Sequence, residues 1–389
     1  MKKFLAVMLA VAMVFCMAAC GDKQEANDGS ANITDGAGMV FKVGATGPLT
    51  GGAAIYGQAV KAGAEIAVEE VNAMGGFQFD FNMQDDAHDA EKAVNAYNDL
   101  KDWGMQFMMG TTTSAPGEAV SAEAYADRMF FLTPSASSTD VIKGKDNVFQ
   151  MCFTDPNQGT GSAQYMYEHN MGTNIGIIYK SDDNYSMGVY NTFKAKAAEL
   201  KLNVVAEAAF TDATSTDFTV QVKQMQDAGV DLVFLPMYYT PASLIFAQAA
   251  ATGYTPTWFG IDGMDGILTL EGFDTALAEG VILLTPYSAD ADSSENKNFV
   301  EKYKAKTGEL PNQFAADAYD CIYALWKAVD QSGVTADMSS EEICEALVKT
   351  FTSMSFNGLT GSNMTWATDG TVSKSPNAMV IKNGAYVGM

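Results

Sequence analysis

The chain has 389 residues, 48% of them hydrophobic and 18% charged, which is too long for one ordinary domain of roughly 150 residues and too apolar for a disordered protein. A formal charge of −24, from 23 Lys and Arg against 47 Asp and Glu, argues against DNA or RNA as a partner, because phosphate backbones are met by surfaces of the opposite sign. Two histidines, His88 and His169, leave little room for chemistry that needs several imidazoles.

The N-terminus reads as an address. Lys2 and Lys3 precede an apolar run from Phe4 to Val14, long enough for a signal-peptide core and too short to span a bilayer. The run leads to Met17-Ala18-Ala19-Cys20, which resembles a bacterial lipobox: residues 1–19 would be removed and Cys20 diacylated on sulfur. The plainer alternative is an ordinary Ala-x-Ala cleavage site with an incidental cysteine. Residues 20–38 then hold the lipidated Cys20 and a polar, Gly-rich tether. No later run of about 18 apolar residues is present, so lipid would be the anchor.

From Met39 onward, β-rich runs alternate with helical ones. Strands are expected at Met39–Gly44, Phe77–Gln84, Met105–Met109 and Phe130–Leu132. The helix at Tyr56–Asn72 places Val60, Ala64, Ala67 and Val71 on one face and stops at Gly75-Gly76. A second series has strands at Asn174–Tyr179, Val204–Ala208, Leu232–Pro236, Thr257–Gly260 and Val281–Leu284, with helices between. Helices follow at Lys297–Thr307, Phe314–Gln331 and Ser340–Met354; the tail from Phe356 reads as short strands that join an existing sheet. This order implies an α/β protein of two Rossmann-like αβα lobes, each a parallel sheet covered by helices and joined by crossover segments. Residues 39–153 and 287–355 form lobe 1; residues 154–286 and 356–389 form lobe 2. The crossings fall near Cys152, Pro286 and Phe356.

Cys152, Cys321 and Cys344 remain once Cys16 and Cys20 are set aside. Either Cys321 pairs with Cys344, or all three are buried thiols. No CxxC spacing supports zinc or a redox dithiol. Asp85, Asp86, His88 and Asp89 look like a metal cluster, but helix capping is the preferred reading. His169 sits at an expected helix end, and Phe314 either lines the cleft or packs in the core, with the core the preferred reading.

In open α/β sheets, ligands bind beyond the carboxyl ends of the strands. The loops there are rich in hydroxyls: Thr46 to Gly52, Thr111 to Ser114 and Thr133 to Ser138. Any one of these Ser or Thr residues could serve only as an N-cap, whereas three such loops in successive units make a place for a small carboxylate.

These loops carry a resemblance. Gly47-Pro48-Leu49-Thr50-Gly51, Tyr56-Gly57, Val71-Asn72-Ala73-Met74-Gly75-Gly76, Asp85 to Val94, Gly110 to Ser114, Thr133 to Ser138, Asp155-Pro156-Asn157-Gln158-Gly159 and Asp182 to Gly188 occur in the order of the type I periplasmic binding proteins of ABC importers, leucine/isoleucine/valine-binding branch. The chain resembles that family from Met39 to its end. The resemblance implies that the loops at Thr113-Ser114 and at Ser135, Ala136 and Ser137 hold a ligand's α-carboxylate, with the choice between Thr113 and Ser114 open. It further implies that Tyr56 lines the cleft, that Tyr185 and one of Tyr238 and Tyr239 close over the ligand, and that Asp262 pairs with the α-ammonium.

The implied function is that of a monomeric, non-enzymatic receptor without cofactor or metal, lipid-anchored through Cys20 to the outer face of the cytoplasmic membrane. It would capture an amino acid, branched-chain or otherwise apolar or aromatic, or a related amide, and deliver it to ABC permease subunits. A sensor of the same fold reporting to a regulatory partner remains open. An envelope-anchored hydrolase lacks support, as GxSxG, HExxH, GxxxxGK[ST] and GxGxxG are all missing.

Overall fold

The computed structural model describes residues 38–389. The expected signal peptide, Cys20 and all of the tether except Gly38 lie outside the described residues.

The first lobe begins as a regular βα series: β1 (Val40–Gly47), α1 (Ala54–Ala73), β2 (Gln78–Asp85), α2 (Ala90–Trp103), β3 (Phe107–Met109), α3 (Ser114–Ala126), β4 (Phe131–Thr133), α4 (Thr139–Ile142) and β5 (Val148–Gln150). The strands form one parallel sheet in the order β2-β1-β3-β4-β5. Sheet and helices meet through apolar faces: Phe41, Val43 and Ala45 of β1 are fully buried, as are Val60, Ala64, Ala67 and Val71 along the predicted stripe of α1. Burial of both sheet faces explains why these strands read as continuous apolar runs.

The second lobe repeats the plan with α5 (Asp155–Glu168), β6 (Ile175–Lys180), α6 (Asn184–Leu200), β7 (Val204–Phe210), α7 (Thr219–Asp227), β8 (Leu232–Leu235), α8 (Tyr239–Ala251), β9 (Thr257–Gly260) and β10 (Ile282–Thr285). The chain then returns to lobe 1 as α9 (Ser294–Thr307), α10 (Gln313–Ser332) and α11 (Ser340–Phe351), with α10 packed along α1. Gly63 makes that approach possible, since a Cβ there would sit 2.1 Å from the Ala315 carbonyl oxygen.

After a two-stranded antiparallel sheet, β11 (Ser355–Phe356) and β12 (Met364–Thr365), the chain adds β13 (Asn377–Lys382) antiparallel to β10 and β14 (Ala385–Gly388) antiparallel to β13. The second sheet thus runs β14-β13-β10-β9-β8-β6-β7.

One crossing differs from the sequence reading. The chain does not leave lobe 1 near Phe356. Asp320 of α10 accepts the Leu359 and Thr360 amides at 2.8 and 2.9 Å, the Trp366 indole donates to the Gln150 carbonyl at 2.9 Å, and Lys374 reaches Asp317 at 2.6 Å. Buried groups of lobe 1 thereby hold the chain through Lys374, and only the β13–β14 hairpin joins the second sheet. The bridge weighed for Cys321 and Cys344 is not formed: both thiols, and that of Cys152, are buried and free.

Candidate functional site

The loops that leave the strands of lobe 1 are held in shape by their own polar groups. Asp85, at the end of β2, accepts the Leu49 amide at 2.8 Å, the Ala87 amide at 2.9 Å and the Thr50 hydroxyl at 2.6 Å, which fixes the β1–α1 loop. Asp89 caps α2 through the Lys92 amide at 2.9 Å. His88 turns toward the cleft, its Nδ1 lying 2.9 Å from the Thr113 hydroxyl. Thr113 is therefore occupied by His88 and makes no side-chain cap on α3, so the first amides of that helix keep the donor capacity that suits a carboxylate.

At the junction of the lobes, Tyr56, Thr112, Thr113, Ser114, Ser135, Ser137 and Phe314 of lobe 1 and Tyr185, Tyr238, Asp262 and Gly263 of lobe 2 surround one cavity. The cavity is about 10 Å³, room for about one water. A solute therefore enters only when the lobes part.

The closed arrangement is held by tyrosines. Tyr56 donates to the Gly263 carbonyl at 2.5 Å and accepts the Tyr239 amide at 3.2 Å. Tyr185 and Tyr238 stack with ring centres 4.8 Å apart. The Tyr185 hydroxyl donates to Asp262 Oδ1 and accepts the Gly263 amide at 2.9 Å. From α10, the Gln313 side chain donates to the Asp262 carbonyl at 2.9 Å.

Two predicted residues stand elsewhere. Ala136 does not line the cavity: its amide is taken by the Thr133 hydroxyl at 2.9 Å and its carbonyl by Gln150 at 2.7 Å. Of the tyrosine pair, Tyr238 lines the cavity while Tyr239 stands behind Tyr56, ring centres 4.9 Å apart, and accepts the Ile55 amide at 3.3 Å. Phe314 belongs to the buried core and also forms a wall of the cavity, packing on Tyr56 at 4.3 Å. Its position at the first turn of α10, the end of a helix that faces the other lobe, was the signal available.

The electrostatics are one-sided. Asp262 is 5% exposed, and burial pushes its carboxyl up to about 7 despite the Tyr185 hydrogen bond. Asp155, at the first turn of α5, is 1% exposed; burial raises its carboxyl well above the ordinary range, and its Oδ1 has no hydrogen-bond partner. Asp155 was quoted in a sequence motif without being recognised as part of this acidic centre. Among the described residues, no lysine or arginine lines the cavity. Two buried acids without a cation form a site that gains from a positive charge.

The family profile described as "Periplasmic binding protein" matches residues 40–385. The chain belongs to the periplasmic binding protein family. Its members bind solutes and are not enzymes, and its two-lobed α/β architecture is the type I form. The chain is similar to a leucine-, isoleucine-, valine-, threonine-, and alanine-binding protein of Pseudomonas aeruginosa, 25% identical over 312 residues, 79% of this chain and 82% of that one. The branched-chain amino acid transporter substrate binding protein LivJ of Streptococcus pneumoniae, solved with isoleucine, superposes with a TM-score of 0.80 at 26% identity, covering 90% of this chain and 100% of its own. A solute binding protein of an ABC transporter from R. palustris, solved with benzoate, has a TM-score of 0.80 at 20% identity over 90% of this chain and 95% of its own, a likeness of fold.

Proposed function

We propose that this chain is the extracytoplasmic receptor of an ABC importer and captures an amino acid with an apolar or aromatic side chain, or a related amide, between its lobes. Lobe 1 is residues 39–153 with 287–374, and lobe 2 is residues 154–286 with 375–389. In the open form, the α3 amides and the hydroxyls of Ser114, Ser135 and Ser137 receive the α-carboxylate, and Tyr56 and Phe314 receive the side chain. Closure brings Tyr185, Tyr238 and Asp262 over the ligand, where Asp262 accepts the α-ammonium. The closed form then docks on membrane permease subunits, with the receptor tethered by lipid at Cys20.

The observation that carries this reading is the buried Asp262 carboxylate, bonded to a tyrosine hydroxyl and facing no cation. An ammonium supplies the missing charge. An aromatic acid such as benzoate would bring a second negative charge beside Asp262 and Asp155.

Calorimetry against the common amino acids, small amides, benzoate and neutral sugars tests this. A zwitterion should bind with the lowest Kd. Tight binding of benzoate or a sugar, with no zwitterion bound, would overturn the assignment.

A further inference from the structure

A second, larger cavity of about 850 Å³ lies between the lobes and shares no lining residue with the first. Its size is that of a small-molecule site, roughly 300–1,000 Å³. Ile55 of α1 and Tyr303 of α9 face Leu268 and Tyr386 of the other lobe across it.

Two buried polar groups on its wall are unpartnered. Asp265 is 4% exposed; its Oδ2 accepts the Gln313 amide at 2.8 Å, while Oδ1 has no hydrogen-bond partner. The Tyr386 hydroxyl accepts the Gly266 amide at 3.1 Å and holds its proton toward the Asp265 carboxyl, although Oδ1 has no partner at hydrogen-bond geometry. Tyr287 is 5% exposed, and its hydroxyl has no partner. Leaving a buried acceptor unmatched is costly, and natural folds do so where something else completes the bond.

The charge of the lining is also of one sign. Asp265, Asp290 and Glu309 line the cavity, and among the described residues no Lys, Arg or His does. Burial already pushes Asp265 up to about 6, so a cation beside it would restore the carboxylate. Three tyrosines and several aliphatic side chains make the remaining wall suited to a hydrocarbon body rather than to a hydrated metal ion.

We propose that this cavity is a second binding site, for a small organic ammonium ion whose charged end meets Asp265 Oδ1 and the Tyr287 hydroxyl and whose apolar body lies between Ile55 and Leu268. Because its walls come from both lobes, and Asp265 of lobe 2 bonds the first amide of α10 only when the lobes meet, an occupant favours closure. By reciprocity it tightens the solute site.

The probe is phenethylammonium, titrated by calorimetry into the protein and into its Asp262→Asn variant, with 2-phenylethanol and phenylacetate as the neutral and anionic counterparts. In the Asp262→Asn variant, whose solute site lacks its ammonium partner, the amine should still bind at millimolar concentration or below, and the two counterparts should bind at least about tenfold more weakly. Asp265→Asn should weaken the amine by about tenfold or more, and Tyr287→Phe, which leaves the α10 contact intact, by severalfold. The proposal is overturned if the amine does not bind, if Asp262→Asn abolishes its binding, or if Tyr287→Phe leaves the affinity unchanged in a protein of unaltered circular dichroism.

Discussion

Two of the places where the molecule buries acids treat them differently. Beneath the crossover, Asp317 and Asp320 of α10 meet Lys374, whose amine lies 2.6 Å from Asp317 and 2.6 Å from the Thr360 hydroxyl, while Asp320 accepts two backbone amides and that hydroxyl. At the cleft, Asp262 and Asp155 have hydroxyls and amides but no basic side chain. Burial raises the carboxyls in both regions, Asp317 to about 6 against the pull of Lys374 and Asp262 to about 7 without such a pull. A buried acid that the chain neutralises itself is architecture. One left without a cation is a site for a cation from outside.

Removing the internal cation tests the first half. Lys374 is fully buried and Asp317 is 2% exposed, so Lys374→Met leaves an uncompensated charge and should cost about 3–5 kcal/mol in urea unfolding. A loss below about 1 kcal/mol would place Lys374 with exposed pairs of little weight.

At the cleft, the corresponding change should act on binding instead. Asp262→Asn should raise the Kd of the amino acid about a hundredfold while leaving the unligated protein as stable as before or more so. If Asp262→Asn unfolds the protein as readily as Lys374→Met, the contrast between the regions fails.

Acidity sharpens the contrast. Asp262 has a folded value raised from 3.8 to about 7. The folded state therefore holds its proton over a range where the unfolded chain has lost it, and this group's share of unligated stability falls as pH rises through that window. Ammonium binding needs the ionised carboxylate. Affinity should drop by up to about tenfold per pH unit below 7, with proton release on binding, and level off above. Asp155 and Asp317 act on the same carboxyl, so the measurement is the difference between wild type and Asp262→Asn by calorimetry. Equal slopes in the two would remove Asp262 from the titration.

The smallest effect concerns Thr360, whose hydroxyl joins Lys374 to Asp320. Thr360→Val should cost about 1–2 kcal/mol in stability and leave ligand affinity unchanged. A shift in Kd would show that the two acidic regions are coupled.

Much of the fold was legible because its pattern is local. The Val60, Ala64, Ala67, Val71 stripe, the Asp89 cap of α2 and the strand Thr257–Gly260 follow from side-chain periodicity and capping chemistry within a few residues. The short strand Val148–Gln150 was not named from the sequence. Among the residues around the cavity, Tyr56, Ser114, Ser137, Tyr185 and Asp262 were named through family motifs. Asp155 was not recognised as part of the acidic centre because it looks like an ordinary first-turn residue of its helix, and for Phe314 the core was preferred over the cleft although it serves both.

By itself the sequence determined two αβα lobes and the hydroxyl-rich loops at the strand ends, since alternation and turn chemistry depend on neighbours in the chain; Asp262 was named through the family resemblance alone. The tertiary structure decided which of Tyr238 and Tyr239 faces the cavity, where the tail crosses, that the cysteines stay apart, and which buried acids have a lysine. Those outcomes depend on groups brought together from residues far apart, as Lys374 is to Asp317 and Tyr185 to Asp262, and no local pattern carries them.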